Sequence, residues 1–407
     1  MSKIPKLRFK EFSGEWESKR LGELGDFKKT YSFSRSVEGK GDYKHIHYGD
    51  IHMNYNGIIS KDKLIPSIDI PSDDNYELIK EKDIIFADAS EDRKDLGKVA
   101  VVRSIEGNVL SGLHTMCFRP KETLNSEFFL NHSLNKEYLK FMYTRGNGAK
   151  VLGISKANLL EYKFLAPSKE EQEKIASFFS LIDDKISLQG EKIEALKDYK
   201  KGIMQKIFSR ELRFKDDDGR DYPEWKNIRL SEVLKERKTY SQKNEGLEHV
   251  TLSKDGIYGK GERYNRDFLV VTDDKKYKIT RLGDICYNPA NLKFGVICRN
   301  DYGEAIFSPI YVKFEVKSEA DSEYMGAYLS RWDFINRVRK YEEGTVYERM
   351  AVKPEDFLRF EINLPTIEEQ KKIKGFFNKI DEKVKFEEEK LNRLNEYKKG
   401  LLQQMFV

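Results

Sequence analysis

The sequence predicts an α+β protein: two mixed α/β domains separated by two long antiparallel coiled-coil helices, with a pseudo-two-fold internal repeat. Three observations predict it. A block of about 40 residues occurs twice, about 200 residues apart. Both copies carry an apolar seam with heptad spacing. The stretches between them hold short apolar runs bounded by Gly, Pro, Asn or Asp, the mark of strand-rich domains.

The repeat is direct. Glu170-Glu171-Gln172-Glu173-Lys174-Ile175-Ala176-Ser177-Phe178-Phe179 returns as Glu368-Glu369-Gln370-Lys371-Lys372-Ile373-Lys374-Gly375-Phe376-Phe377. The offset stays constant through Asp183/Asp381, Leu196/Leu394, Tyr199-Lys200-Lys201-Gly202/Tyr397-Lys398-Lys399-Gly400 and Phe208/Phe406. A weaker repeat lies upstream, where Leu7-Arg8-Phe9 and Glu15-Trp16 match Leu212-Arg213-Phe214 and Glu224-Trp225. A period this long means a duplicated half, not a solenoid. The expected organisation is therefore 1–164 (lead-in and first variable domain), 165–209 (central repeated helix), 210–363 (lead-in and second variable domain) and 364–407 (C-terminal repeated helix).

In the first copy the seam is Ile175, Phe179, Ile182, Ile186, Gln189, Ile193, Leu196, Lys200, Ile203 and Ile207. In the second it is Ile373, Phe377, Ile380, Val384, Glu387, Leu391, Leu394, Lys398, Leu401 and Met405. Steps of four and three alternate throughout, and the polar exceptions fall at the same two places. Ser168 and Thr366 stand where N-caps do, behind Pro167 and Pro365. Helices over 168–208 and 366–406 would be roughly 60 Å long at 1.5 Å per residue. Stripes of that length need cover. Either each helix packs on its own domain, or the two pack on each other, and then the polar seam residues set register or receive a partner. A pseudo-two-fold relation between the halves makes the pair antiparallel and brings the C-terminus near Leu7-Arg8-Phe9.

The variable stretches, about 20–164 and 230–363, read as mixed α/β. Strands are expected at 83–87, 99–102, 294–298 and 311–316, with helices at about 126–143 and 321–341. The chain of 407 residues has 74 Lys+Arg against 69 Asp+Glu, a formal net charge of +5. Nucleic-acid binding therefore needs local basic patches, not a uniformly basic coat. Such patches occur in loops that mix cations with aromatic and Asn side chains, the groups that pair with phosphates and base edges. The candidate DNA contacts are Lys28, Lys29, Tyr31, Arg35, Arg93, Lys94, Arg145 and Lys150 in the first domain. In the second they are Arg237, Lys238, Tyr240, Asn291, Lys293, Tyr347 and Arg349. Two divergent domains on a matched scaffold suit an asymmetric target, since half-sites one turn apart lie roughly 34 Å from each other.

Catalytic patterns are weak. Asn288-Pro289-Ala290-Asn291 lacks the second Pro and the aromatic of an amino-methyltransferase motif. Asp301 with Glu315-Val316-Lys317 fits a nuclease spacing only loosely, without a counterpart in the first half. There is no GxxxxGK[ST] phosphate loop. His45, His47 and His52 with Asp50 could suggest a metal, but no Cys is near, and exposed strand polar residues are the preferred account. Cys117, Cys286 and Cys298 form no CxxC pair. Met1-Ser2-Lys3-Ile4-Pro5-Lys6 lacks a signal-peptide core, and no apolar run would span a bilayer. A cytoplasmic, non-membrane protein is expected.

The Pro-x-x-Glu-Glu-Gln…Phe-Phe…Ile-Asp opening, the Leu-x-x-Tyr-Lys-Lys-Gly…Phe close and the doubled Leu-Arg-Phe…Glu-Trp lead-in resemble the specificity subunit of type I restriction-modification systems. The likeness spans nearly the whole chain. It implies a non-catalytic reader of double-stranded DNA with two target recognition domains, a coiled-coil spacer and no fixed base-contacting motif. It also implies two modification (methyltransferase) subunits and two restriction (translocase and nuclease) subunits as partners. S-adenosylmethionine, ATP and Mg would sit on those partners, with no cofactor or metal in this chain. The alternative is a coiled-coil scaffold with two protein-binding domains.

Overall fold

The computed structural model describes residues 3–71, 75–148, 150–241, 246–259, 276–341 and 351–407. It divides into two compact units, Met1–Lys192 with Glu387–Val407, and Ile193–Phe386.

In the first unit, Gly25–Phe27, Thr115–Pro120, Ile84–Ala87, Val99–Val102 and Ile58–Ile59 form a five-stranded sheet in that order. Its central strands are apolar without a break because both faces are covered. Ile84, Phe86, Val99 and Val101 face one core; Ile85, Ala87, Ala100 and Val102 face another. A three-stranded sheet (Ser67–Ile68, Glu38–Ile46, Asn108–Ser111) adjoins it. In the second unit, Leu234–Glu236, Val312–Val316, Ile285–Tyr287 and Ile297–Arg299 make the corresponding sheet. Ile285, Tyr287, Val312 and Phe314 serve one core, and Cys286 serves the other. The run expected as strand 294–298 begins only at Ile297. Leu292–Phe294 is a 3-10 turn that Gly295 ends at φ +80°.

Each predicted domain helix is two helices. Ser126–His132 and Lys136–Arg145 are separated by Ser133–Asn135, because the Asn135 side chain caps Tyr138 N–H and starts a new helix. Ser322–Leu329 and Trp332–Val338 also break, at Ser330 and the extended Arg331, here without a side-chain cap.

The repeated segments form α1 (Lys169–Phe208, 40 residues) and α2 (Ile367–Met405, 39 residues). Ser168 and Thr366 cap them through Glu171 N–H and Glu369 N–H. All seam residues are buried or half-buried. The helices pair antiparallel within each unit. In the first, Phe179 meets Phe406 (6.1 Å between centroids), Asp183 takes Lys398 (2.5 Å), and Gln189 Nε2 donates to Glu387 Oε2 (2.7 Å). In the second, Phe208 meets Phe377 (6.5 Å) and Lys200 takes Asp381 (2.6 Å). The polar seam residues thus set register: Lys200–Asp381 and Lys398–Asp183 are the same bridge made twice. Burial against the home domain is also real, since Ile175 and Phe179 share a core with Trp16 and Phe128, and Ile373 and Phe377 share one with Trp225 and Tyr324.

The repeated Glu-Glu-Gln ties domain to helix. Glu171 accepts from Arg8 Nε and Nη2 (2.8 and 2.7 Å), and Glu369 from Arg213 Nε and Nη2 (3.3 and 3.0 Å) and Trp225 Nε1 (3.0 Å). These bonds raise the pKa of both arginines, fixing their charge. Gln172 Oε1 accepts from Asn125 N–H and Gln370 Oε1 from Asp321 N–H, each the cap of a domain helix. Leu7 N–H donates to Gln404 O (2.9 Å) as Leu212 N–H donates to Lys206 O (3.0 Å), so the first lead-in sits on the end of α2 as the second sits on the end of α1.

Candidate nucleic-acid interface

In the first unit three of the predicted loops converge. The loop 28–35 is held by Tyr31 N–H to Ser111 O (2.9 Å) and by Leu113 N–H to Phe33 O (3.1 Å). Asp88 N–H donates to His114 O and Ile154 N–H to Asp88 O, joining the 88–94 and 150–156 segments to the same place. Ala89–Ser90 pairs with Leu152–Gly153. Tyr31, Phe33, Tyr43 and Tyr76 make a half-buried aromatic cluster there, with ring centroids 5.1–6.1 Å apart.

Within this convergence the candidates differ. Lys28 Nζ lies 3.8 Å from Glu77, Lys29 Nζ lies over Tyr31, and Glu77 N–H donates to the Tyr31 hydroxyl. Arg35 is held by Asp50 (2.8 Å) and Glu38 (3.1 Å), and its pKa is raised, chiefly by the Asp50 bond. Arg93 stacks on Tyr143 and donates to its hydroxyl (3.0 Å). Arg145 lies over Phe141. Lys94 and Lys150 are exposed.

The second unit treats its candidates less uniformly. Arg237 binds the buried Asp284 through Nε and Nη2 (3.0 Å), so its first task is structural. The first unit answers the equivalent Asp83 from another strand, with Arg119 (2.8 and 2.7 Å). Lys238 pairs with Glu236 at 3.3 Å. Tyr240 is half exposed, with Lys313 Nζ 5.9 Å from its ring. Asn291 precedes the 3-10 turn that carries Lys293, whose Nζ lies over Phe294. Tyr347 and Arg349 lie outside the described residues.

The histidines do not assemble a metal centre: among the described residues no three His, Cys, Asp or Glu side chains could share an ion. His45 and His47 are buried, not exposed strand residues. His45 Nε2 faces Glu38 (3.3 Å), and His47 Nδ1 accepts from Gly49 N–H (3.2 Å), capping the turn of helix Tyr48–Met53. Burial, and next the Arg35 charge, lower the His47 pKa and keep the ring neutral for that role. No described helix is long and apolar enough to cross a membrane.

Sequence reasoning missed Asp88 and His114, which stand at the hub of the converging loops. Asp88 Oδ1 is 3.0 Å from His114 Nδ1, and His114 holds φ +56°. Neither belongs to a local motif, and they lie far apart in the chain.

The chain is thus a doubled domain with long paired helices and cation-bearing loops. The chain belongs to the type I restriction modification DNA specificity domain family, which matches residues 13–198 and 222–396. It is thus a specificity component and not the catalyst. It is similar to the type I restriction enzyme MjaVIII specificity subunit of Methanocaldococcus jannaschii, with 24% identity over 422 residues, 97% of this chain and 94% of the relative. Its fold is similar to that of the type I restriction-modification system S subunit from M. genitalium (15% identity, 99% of both chains, TM-score 0.52). A chain in a structure of complex assembly in the type I R-M system is also similar (15% identity, 96% of this chain and 97% of that one, TM-score 0.58).

Proposed function

We propose that the chain reads the two halves of an asymmetric bipartite DNA target, with α1 and α2 setting the gap between them and docking the methyltransferase subunits. The observation that carries this reading is the contrast within the repeat: helix contacts recur residue for residue, while the loops of the two units differ in sequence and in how their cations are held. Conserved struts under divergent reading heads fix a distance and vary a sequence. Residues 20–164 read one half-site and 230–363 the other.

Docking is supported by the outer faces of the helices. Leu188 and its repeat counterpart Phe386 are 65% and 58% exposed, and Tyr199 and its counterpart Tyr397 are 53% and 59% exposed. All lie off the seam. Large apolar side chains kept in water at the same repeat positions suit a partner that binds twice. Two modification subunits would supply S-adenosylmethionine and the methyl transfer, and two restriction subunits the ATP- and Mg-dependent steps, in the cytoplasm.

The test is to insert one heptad into each helix, keeping the seam, and to sequence methylated adenines. The expected result is the same two half-sites with a longer gap. An unchanged gap refutes the spacer role.

A further inference from the structure

Strand register in the corresponding sheets gives residues of the first unit counterparts in the second. Phe27 pairs with Phe118 where Glu236 pairs with Phe314, and Ile84 pairs with Phe118 where Ile285 pairs with Phe314. Counting along these strands, Asp88 corresponds to Pro289 and His114 to Ile310. Two further bonds agree. Ile154 N–H donates to Asp88 O as Val352 N–H donates to Pro289 O, and Thr115 N–H donates to Gly112 O as Tyr311 N–H donates to Ser308 O. His114 and Ile310 therefore occupy the same turn, at the same point of the two recognition domains.

Their chemistry is opposite. Ile310 is an apolar side chain 59% exposed. His114, also exposed, is steered by Asp88: the carboxylate accepts from Nδ1–H, and in that tautomer Nε2 is an acceptor. The turn holds His114 in the left-handed region, a cost that surroundings must sustain and that gathers at binding sites. Beside it opens a shallow pocket of about 330 Å³ whose polar lining includes Ser32, Asp88, His114 and Lys156, with Leu113 and Met116 beside them. The buried Thr30 Oγ1 there has no hydrogen-bond partner among the described residues. Donor and acceptor capacity is thus concentrated where the cationic loops meet.

We propose that His114, oriented by Asp88, is a specificity-determining residue that accepts a hydrogen bond from an exocyclic amine, adenine N6 or cytosine N4, in one half-site. Ile310 makes the equivalent contact in the other half-site with a thymine methyl. Major-groove edges offer both groups. The inference rests on the proposed DNA reading and assigns it a residue pair.

The test uses the complex of the full chain with its modification subunit and reads methylated-adenine motifs. His114→Asn tolerates the left-handed backbone, so it separates reading from folding. Asp88→Asn removes the orienting charge, and Ile310→Ala removes the methyl contact. His114→Asn and Asp88→Asn should each lower the preference for A or C at the same single position of one half-site by about tenfold or more. Ile310→Ala should relax a T position in the other half-site alone. An unchanged motif, a change in both half-sites with His114→Asn, or loss of all methylation with it overturns the proposal. A wild-type complex that methylates no bipartite motif is a different result, and it removes the DNA reading itself.

Discussion

His132 gives the first unit an acid-sensitive joint. The ring is buried among Phe128, Phe129, Phe164 and Phe406, so it fastens the end of α2 to the domain. Its Nε2 lies 2.7 Å from the Tyr162 hydroxyl and its Nδ1 3.0 Å from the Asn135 amide. Burial pushes its pKa down from 6.5 to about 3. The depressed value sets the sign. The unfolded chain takes up a proton near pH 6.5 that the folded chain refuses until about pH 3. Stability from the neutral ring is thus whole above pH 6.5 and falls as pH drops from 6.5 towards 3. The slope approaches about 1.4 kcal/mol per pH unit, which amounts to about 2 kcal/mol between pH 7 and pH 5. Urea unfolding at those two pH values measures it. Trp16, 6.0 Å from Phe128, reports on this core in a Trp225→Phe, Trp332→Phe background. His132→Gln should lower stability at pH 7 and remove about 2 kcal/mol of the difference between pH 7 and pH 5. A His132→Gln protein with the same difference between pH 7 and pH 5 as its parent refutes the argument.

Other expected outcomes follow from named contacts. Arg237→Ala leaves the buried Asp284 without its cation and should cost about 3 kcal/mol or more of second-unit stability, seen in urea unfolding followed by Trp225 fluorescence. Trp225→Phe removes a donor from Glu369, whereas Trp16 Nε1 has no acceptor among the described residues, so Trp225→Phe should destabilise its unit by about 1 kcal/mol more than Trp16→Phe, as compared by thermal melts. Asp183→Lys alone sets a like charge against Lys398, and adding Lys398→Asp should restore about 0.5–1 kcal/mol in a double-mutant cycle. Leu188→Glu with Phe386→Glu should weaken capture of the modification subunit in a pull-down while leaving the helical circular dichroism intact.

The parts that depend on spacing were legible in the sequence. The helices run within one residue of the expected bounds, and the seam residues are covered, because a heptad pattern repeated twice has few ways to bury itself. The Glu-Glu-Gln motif was visible as a repeat, but its work was not: Glu171 reaches back to Arg8, and Gln172 reaches a cap at Asn125, contacts that only the fold creates. The same limit applies to charge. Arg237 and Arg93 look alike as loop cations, yet one neutralises a buried aspartate and the other rests on a surface tyrosine. The breaks at Ser133–Asn135 and Ser330 escaped because apolar periodicity continues across them. Asp88 and His114 carry no local signal at all; strand pairing brings them together.

Gln189 and Glu387 are each other's counterparts, and they touch. Had the duplication stayed faithful to the second copy, two carboxylates would face one another at this crossing. With one amide in place the contact becomes a hydrogen bond, and Lys192 at 2.5 Å balances the remaining charge. A single divergence therefore disfavours the clasp of a second half with a second half from another molecule, where two carboxylates would meet.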